Sequence, residues 1–367
     1  MVIRGPCVAV SRARTYSVTP SPAPVRFGVI GVNHDHIFGM TRQLLAAGAE
    51  LAAFFAEDIP DDDNRLAATF ADTFPQATRA GTQDEVLEDA SIQLIASAAV
   101  PDQRAGIGIA AMRHAKDYLS DKPAFTSLEQ LDEARAVQNQ TRRIFSISYS
   151  ERLQNRATVR AGELVKSGAI GRPLQTVGLG PHRLNAPTRP KWFFEHARYG
   201  GILTDIGSHQ ADQFLFFTGS TTAEVVAAQV GNVAHPEYPG LDDFGDMLLR
   251  GDGGSGYIRV DWFTPDGLSV WGDGRLTILG TDGYIELRKY VDVGGRPGGD
   301  HLFLVDQRQS RYIDCRDVAL PFGRQLLDDV VQRTETAMPQ AHAFLASELA
   351  LRAQLQARPV SRQAVLA

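Results

Sequence analysis

In the first part of the chain, apolar residues come in short unbroken runs separated by amphipathic stretches. Val25–Ile30, Leu51–Ala56 and Ile92–Ala98 are compact runs rich in β-branched and aromatic residues. They read as strands buried on both faces. Ile37–Ala47, Asp63–Ala71, Gln103–His114 and Leu128–Gln138 read as helices between them, a short strand ends at Tyr118-Leu119, and Ile144–Ser148 is a further strand. Strands alternating with helices predict a parallel sheet covered on both faces, with ligands bound beyond the carboxyl ends of the strands.

After residue 150 the rhythm changes. Leu153–Lys166 reads as a helix ended by Ser167-Gly168, and Ile202–Phe217 as one stopped by Gly219. Alternating runs follow at Glu224–Val230, Phe244–Leu249, Gly256–Trp262, Arg275–Leu279 and Tyr284–Tyr290, with turn signals at Gly251–Gly254 and Thr281–Gly283. Helices over Gly323–Thr334 and Gln340–Gln356 close the chain. The fold class expected is α/β plus α+β: residues 25–148 form a parallel Rossmann-type sheet, and residues 149–367 a domain on a largely antiparallel open sheet.

Residues 1–24 stand apart, with Arg4, Arg12 and Arg14 and no acidic residue. The acid-free, Arg- and Ser-containing composition resembles a transit peptide; the blander reading is a disordered tail ended by Pro20-Ser21-Pro22-Ala23-Pro24. The tail lacks the apolar core of a secretory signal, and no stretch reaches a membrane span, so a cytoplasmic location is expected. The net charge of −6 argues against nucleic-acid binding by phosphate neutralisation. Two cysteines in 367 residues exclude a disulfide framework and a Cys-based zinc site.

The first strand runs into Gly28-Val29-Ile30-Gly31-Val32-Asn33-His34-Asp35-His36. A dinucleotide fingerprint places G-x-G-x-x-G/A between strand and helix, so the pyrophosphate meets backbone at a helix start. Gly31 occupies the first glycine position, Asn33 replaces the second and His36 the third. Asn tolerates positive φ, which would preserve the turn. Glu57 and Asp58 follow the second strand, where a carboxylate would bond the adenosine ribose hydroxyls, and Pro101 follows the third. The cofactor-facing set is therefore Gly28, Gly31, Asn33, His34, His36, Glu57, Asp58, Pro101 and Lys122. The acidic pair disfavours a 2′-phosphate, so NAD is expected over NADP. His34 and His36 lack a third ligand in the sequence, so no metal is expected.

Two segments carry the candidate chemistry. Ser120-Asp121-Lys122-Pro123 ends a predicted parallel strand, at the ligand-bearing edge. Asp205 and His209 are spaced i,i+4, on one face of a helix, where a carboxylate sets an imidazole's tautomer and raises its basicity. The same spacing also serves an ordinary helix-surface pair. Gly200-Gly201 permits close backbone approach to a ligand.

These segments resemble the Gfo/Idh/MocA oxidoreductase family. Asp121-Lys122-Pro123 resembles its Glu-Lys-Pro motif, and Gly200, Gly201, Asp205, Gly207, His209 and Asp212 match its Gly-Gly-x-x-x-Asp-x-Gly-x-His-x-x-Asp motif. Ser167–Pro173 resembles the turn before the first strand of its second domain. The resemblance spans about residues 25–350 and departs at Asn33 and His36, where the family has small residues. It implies NAD(P)-linked hydride transfer to or from a sugar, sugar acid or cyclitol hydroxyl. Lys122, Asp205 and His209 are then the catalytic group: His209 the base, Asp205 its orienting partner, Lys122 a donor to the developing alkoxide. His182, Arg183, Trp192 and Tyr199 are candidate substrate contacts, and Asp300-His301 a further contact or a strand start. A homodimer or homotetramer joined through the second sheet is expected, with no nucleic-acid or membrane partner. An NAD-dependent glycosidase working by transient redox, and a non-catalytic sensor on the same fold, are the alternatives.

Overall fold

The computed structural model describes residues 23–57 and 65–360, so the expected tail lies almost wholly outside the described residues, as does Asp58. The N-terminal sheet comprises β1 (Arg26–Val32), β2 (Glu50–Phe55), β3 (Thr78–Arg79), β4 (Leu94–Ala98), β5 (Asp117–Asp121) and β6 (Phe145–Ser148). All pairings are parallel, in the order β3-β2-β1-β4-β5-β6. The order in which strands are added reverses between β1 and β4, which opens a crevice beyond their carboxyl ends. Every residue of β4, β5 and β6 is buried, as unbroken apolar runs predict for central parallel strands. The short edge strand β3 and the helix Gln83–Glu88 carry no apolar run and were not predicted.

The second sheet comprises β7 (Pro173–Pro181), β8 (Ala223–Gly231), β9 (Phe244–Gly251), β10 (Ser255–Asp261), β11 (Arg275–Gly280), β12 (Gly283–Arg288), β13 (His301–Asp306), β14 (Ser310–Asp314) and β15 (Arg358–Pro359). The order is β14-β13-β12-β11-β7-β10-β9-β8-β15, antiparallel except at β7–β10 and β8–β15. Sequence reading did not delimit β13 and β14, although their hairpin extends one end of this sheet.

Two expected helices are divided. Leu153–Lys166 becomes Ser150–Leu153 and Arg156–Lys166, because the Asn155 side chain accepts from the Thr158 amide at 2.9 Å and caps a new start. Ile202–Phe217 becomes Ile202–Asp205 and Gly207–Thr218. There the Ser208 hydroxyl donates to the Asp205 carbonyl at 2.8 Å, and the His209 amide bonds Ile206 one residue short of the α-helical ladder. The second of these helices lies on β7 so closely that a Cβ on Gly178 would come within 2.3 Å of the Gln210 side-chain oxygen. That approach seats His209 between the second sheet and the carboxyl edge of the first.

Candidate active site

The turn after β1 is shaped by Gly31. Its φ is +85°, and a Cβ there would stand 2.3 Å from the Ala99 Cβ. Only glycine meets both demands. The next helix begins at His36, and the amides of its first turn are bonded within the turn: His36 to His34 Nδ1 at 3.2 Å, Ile37 to the His34 carbonyl at 3.2 Å and Phe38 to the Asp35 carbonyl at 3.1 Å. Asn33 is not among the described non-glycine residues with positive φ; it is buried and its amide donates to the Ala98 carbonyl at 3.0 Å. Its presence is therefore not explained by a left-handed turn. Gly28 lies inside β1 rather than at the turn, and a Cβ there would meet the Val86 side chain at 2.5 Å. Helix packing, not ligand approach, requires that glycine. A cleft of about 290 Å³ beside the turn is lined by Gly31, Asn33, Phe55, Glu57, Gln103 and Ile107. Pro101 opens the helix Pro101–Arg113 next to it.

Lys122 follows β5 and its bond to Pro123 is cis. Its side chain is buried, and Nζ donates to Asp205 Oδ1 at 2.7 Å. Burial by itself would raise the Asp205 carboxyl, but the Lys122 ammonium outweighs it and holds the group below its ordinary value. This corrects the expected pairing: Asp205 holds Lys122, not His209. Ile206 keeps helical φ and ψ of −74° and −38°, so the spacing is intact, and it is the Lys122 ammonium from the first domain that takes the carboxylate.

His209 is buried, and its Nδ1 has no hydrogen-bond partner among the described residues. Burial pushes its pKa down to about 3, against the opposing pull of Glu151. The expected rise in basicity is therefore reversed, and the imidazole is neutral at pH 7. The carboxylate nearest in influence is Glu151, which lies after β6 and drew no notice in the sequence. Glu151 Oε2 accepts from Lys289 Nζ at 2.5 Å and from Gln210 Nε2 at 2.7 Å, all three buried.

His182 joins this group. Its Nδ1 contacts the Gly180 carbonyl at 3.1 Å, and its ring lies 5.5 Å from Trp262 and 4.4 Å from Trp271. Burial lowers its pKa to about 4, with the Lys122 charge adding to the effect.

The other substrate candidates are occupied elsewhere. The Tyr199 hydroxyl accepts from the Asp242 amide at 2.8 Å, and its buried ring stacks on Phe193. Trp192 is buried against the same Phe193. Arg183 donates to the carbonyls of Pro265 and Leu268, holding that loop. Gly200 and Gly201 have φ of +86° and +88°, and a Cβ on Gly201 would strike the Gln354 amide. The pair thus serves a turn packed against the last long helix. Asp300 accepts from the Arg156 amide at 2.7 Å, at the start of the helix Arg156–Lys166, and His301 begins β13.

Three further residues had no role assigned from the sequence. Arg104 is fully buried, donating to the Ala99 carbonyl at 2.7 Å and the Lys122 carbonyl at 2.5 Å, and pairing with Asp121 at 3.1 Å. It ties the ends of β4 and β5 together. Arg189 lies over Phe193 and Trp262, and its charge reaches Asp205 and Asp35. Asp121 faces the turn after β1: its Oδ1 lies 2.9 Å from His36 Nδ1. No sequence signal joins residues 85 positions apart.

A six-stranded parallel sheet with a glycine turn at its switch point, joined to an open sheet that brings a histidine toward a buried lysine, defines a two-domain Rossmann-type protein. A model of the GFO/IDH/MocA C-terminal domain matches residues 158–286. A crystal structure from Erwinia carotovora atroseptica, described as an oxidoreductase, shares 47% identity over 92% of this chain and 100% of that one, with a TM-score of 0.88. The chain belongs to the Gfo/Idh/MocA family. More distant folds agree. Levoglucosan dehydrogenase in complex with NADH and levoglucosan is 17% identical over 90% of this chain and 97% of that one, with a TM-score of 0.74. An oxidoreductase from Agrobacterium radiobacter, in complex with NAD+, L-tartaric acid and magnesium, is 18% identical over 94% and 100%, with a TM-score of 0.73. No helix among the described residues is long and apolar enough to cross a membrane.

Proposed function

We propose that the protein is an NAD-dependent oxidoreductase that moves hydride between nicotinamide and a carbinol carbon of a sugar, sugar acid or cyclitol. The observation that carries this reading is the buried contact of Lys122 with Asp205 at 2.7 Å, beside a neutral His209 at the carboxyl edge of the first sheet. The residues present suit a dinucleotide: Gly31 makes the tight turn at the end of the first strand, and Glu57 lines the adjoining cleft where a ribose would be read. Hydride acceptance is the chemistry the cofactor supplies when bound.

The chain's own groups handle the proton. His209 has a free lone pair at pH 7 and takes the hydroxyl proton of the substrate. Lys122 donates to the developing alkoxide, and Asp205 holds its ammonium in place. His182, between two tryptophans, lines the substrate side.

Arg189 is added to the site as a substrate-side cation. The earlier candidates Arg183, Trp192 and Tyr199 act instead as the frame behind it.

An oligomer built through the second sheet is supported by its exposed apolar residues. Val226, Leu248, Tyr257, Leu279, Tyr284 and Tyr312 lie on β8, β9, β10, β11, β12 and β14. The test of function is a panel of sugars, sugar acids and cyclitols with NAD and NADP, reading reduced cofactor and product together. Product without net cofactor reduction would identify the redox glycosidase, and silence with every cofactor would leave a binding protein.

A further inference from the structure

We propose that His34, His36 and Asp121 form a binding site for a divalent transition-metal ion of the zinc type. The sequence offers two histidines on a turn and no third ligand; the fold brings the third from the end of β5. One ligand atom from each of the three residues lies within 4.8 Å of the others.

The surroundings hold these groups in place. His34 Nδ1 accepts from the His36 amide at 3.2 Å and lies 2.9 Å from Asp35 Oδ1. Asp121 is held from behind. Its Oδ2 lies 3.1 Å from the buried Arg104 guanidinium, while Oδ1 faces His36 Nδ1 at 2.9 Å. The carboxylate is thus fixed with one oxygen toward the histidines.

The donor set selects the ion. Two imidazoles and one carboxylate oxygen suit zinc, cobalt, iron or nickel, whereas magnesium and calcium prefer all-oxygen shells. Zinc bonds to such donors are about 2.0–2.2 Å, which sets neighbouring ligands roughly 3.3–3.5 Å apart. The His36–Asp121 pair need only open by a few tenths of an ångström. Both histidine side chains are partly exposed, at 20% and 36%, and have freedom to close on the ion. Three protein ligands leave a coordination position open to water or an oxygen ligand.

The test is a titration of metal-stripped protein with Co2+, followed optically, and with Zn2+ by competition, in the absence of any dinucleotide. It therefore stands apart from the oxidoreductase reading. The expected result is one saturable equivalent, with affinity for Zn2+ well above that for Mg2+. His36→Asn and Asp121→Asn should each weaken binding by at least tenfold. His114→Asn, at an exposed histidine far along the sequence, should leave it unchanged. Because Asp121 is buried, His36→Asn carries the decision if Asp121→Asn fails to fold. No saturable binding, or equal affinity in folded His36→Asn and wild type, would overturn the proposal.

Discussion

The ammonium of Lys122, from the edge of the first sheet, and the carboxylate of Asp205, from the second domain, meet at 2.7 Å with both side chains nearly excluded from water. Each would be costly to bury alone, and together they lock a charged donor at the seam of the two domains. Lys122→Met should therefore strand a buried carboxylate as well as remove the donor. The expected outcome is a fall in kcat of about 10²–10⁴-fold. Steady-state kinetics with the best substrate of the panel checks it, and a variant with near-normal turnover would remove Lys122 from the mechanism.

His209→Ala should lower turnover by about 10²–10⁴-fold while leaving NAD affinity nearly unchanged, because the imidazole comes from the second domain. Fluorescence titration of the cofactor and single-turnover kinetics separate the two effects. The His209/Lys122 double variant should be much less than multiplicatively worse than the single ones, since groups acting as one unit are not additive.

Acid should destabilise the protein through its buried histidines. The pKa of His209 is pushed down to about 3 and that of His182 to about 4, below the roughly 6.5 of an unfolded histidine. Between these values the unfolded chain binds more protons than the folded one, so stability falls as pH drops below about 6.5. His209→Gln should flatten the slope of Tm against pH in that window. An unchanged slope in the variant would mean that His209 is not held neutral.

Glu151 and Lys289 form a wholly buried ion pair beneath the site. Glu151→Gln leaves an unpaired ammonium in the interior and should cost about 3–5 kcal/mol of stability. Urea unfolding measures this, and pairing the change with Lys289→Met should recover much of the loss. A Glu151→Gln protein as stable as wild type would contradict the burial of that charge.

Glu57→Ala should narrow the preference for NAD over NADP, because the negative charge that repels a 2′-phosphate is removed from the cleft. Parallel titrations with both cofactors give the ratio, and a ratio unaffected by the change would show that Glu57 does not face the ribose.

Periodicity along the sequence defined most of the alternation of strands and helices up to Ser148, β3 and the helix Gln83–Glu88 excepted, since buried parallel strands must be continuous apolar runs and their helices amphipathic. The turn signals of β11 and β12, and the motif around Lys122, were equally local and equally legible. The residues that act together were not. Asp205 and His209 stand four apart on nearly continuous helix, yet the carboxylate pairs with Lys122, 83 positions earlier. Arg104, Glu151 and Asp121 carry no recognisable spacing, because their partners at Lys122, Lys289 and His36 lie on other elements. Local propensity and hydrophobic period are written in neighbouring residues and can be read there. Which charges share a buried space depends on how two sheets and their helices close on one another, and only the folded chain decides that.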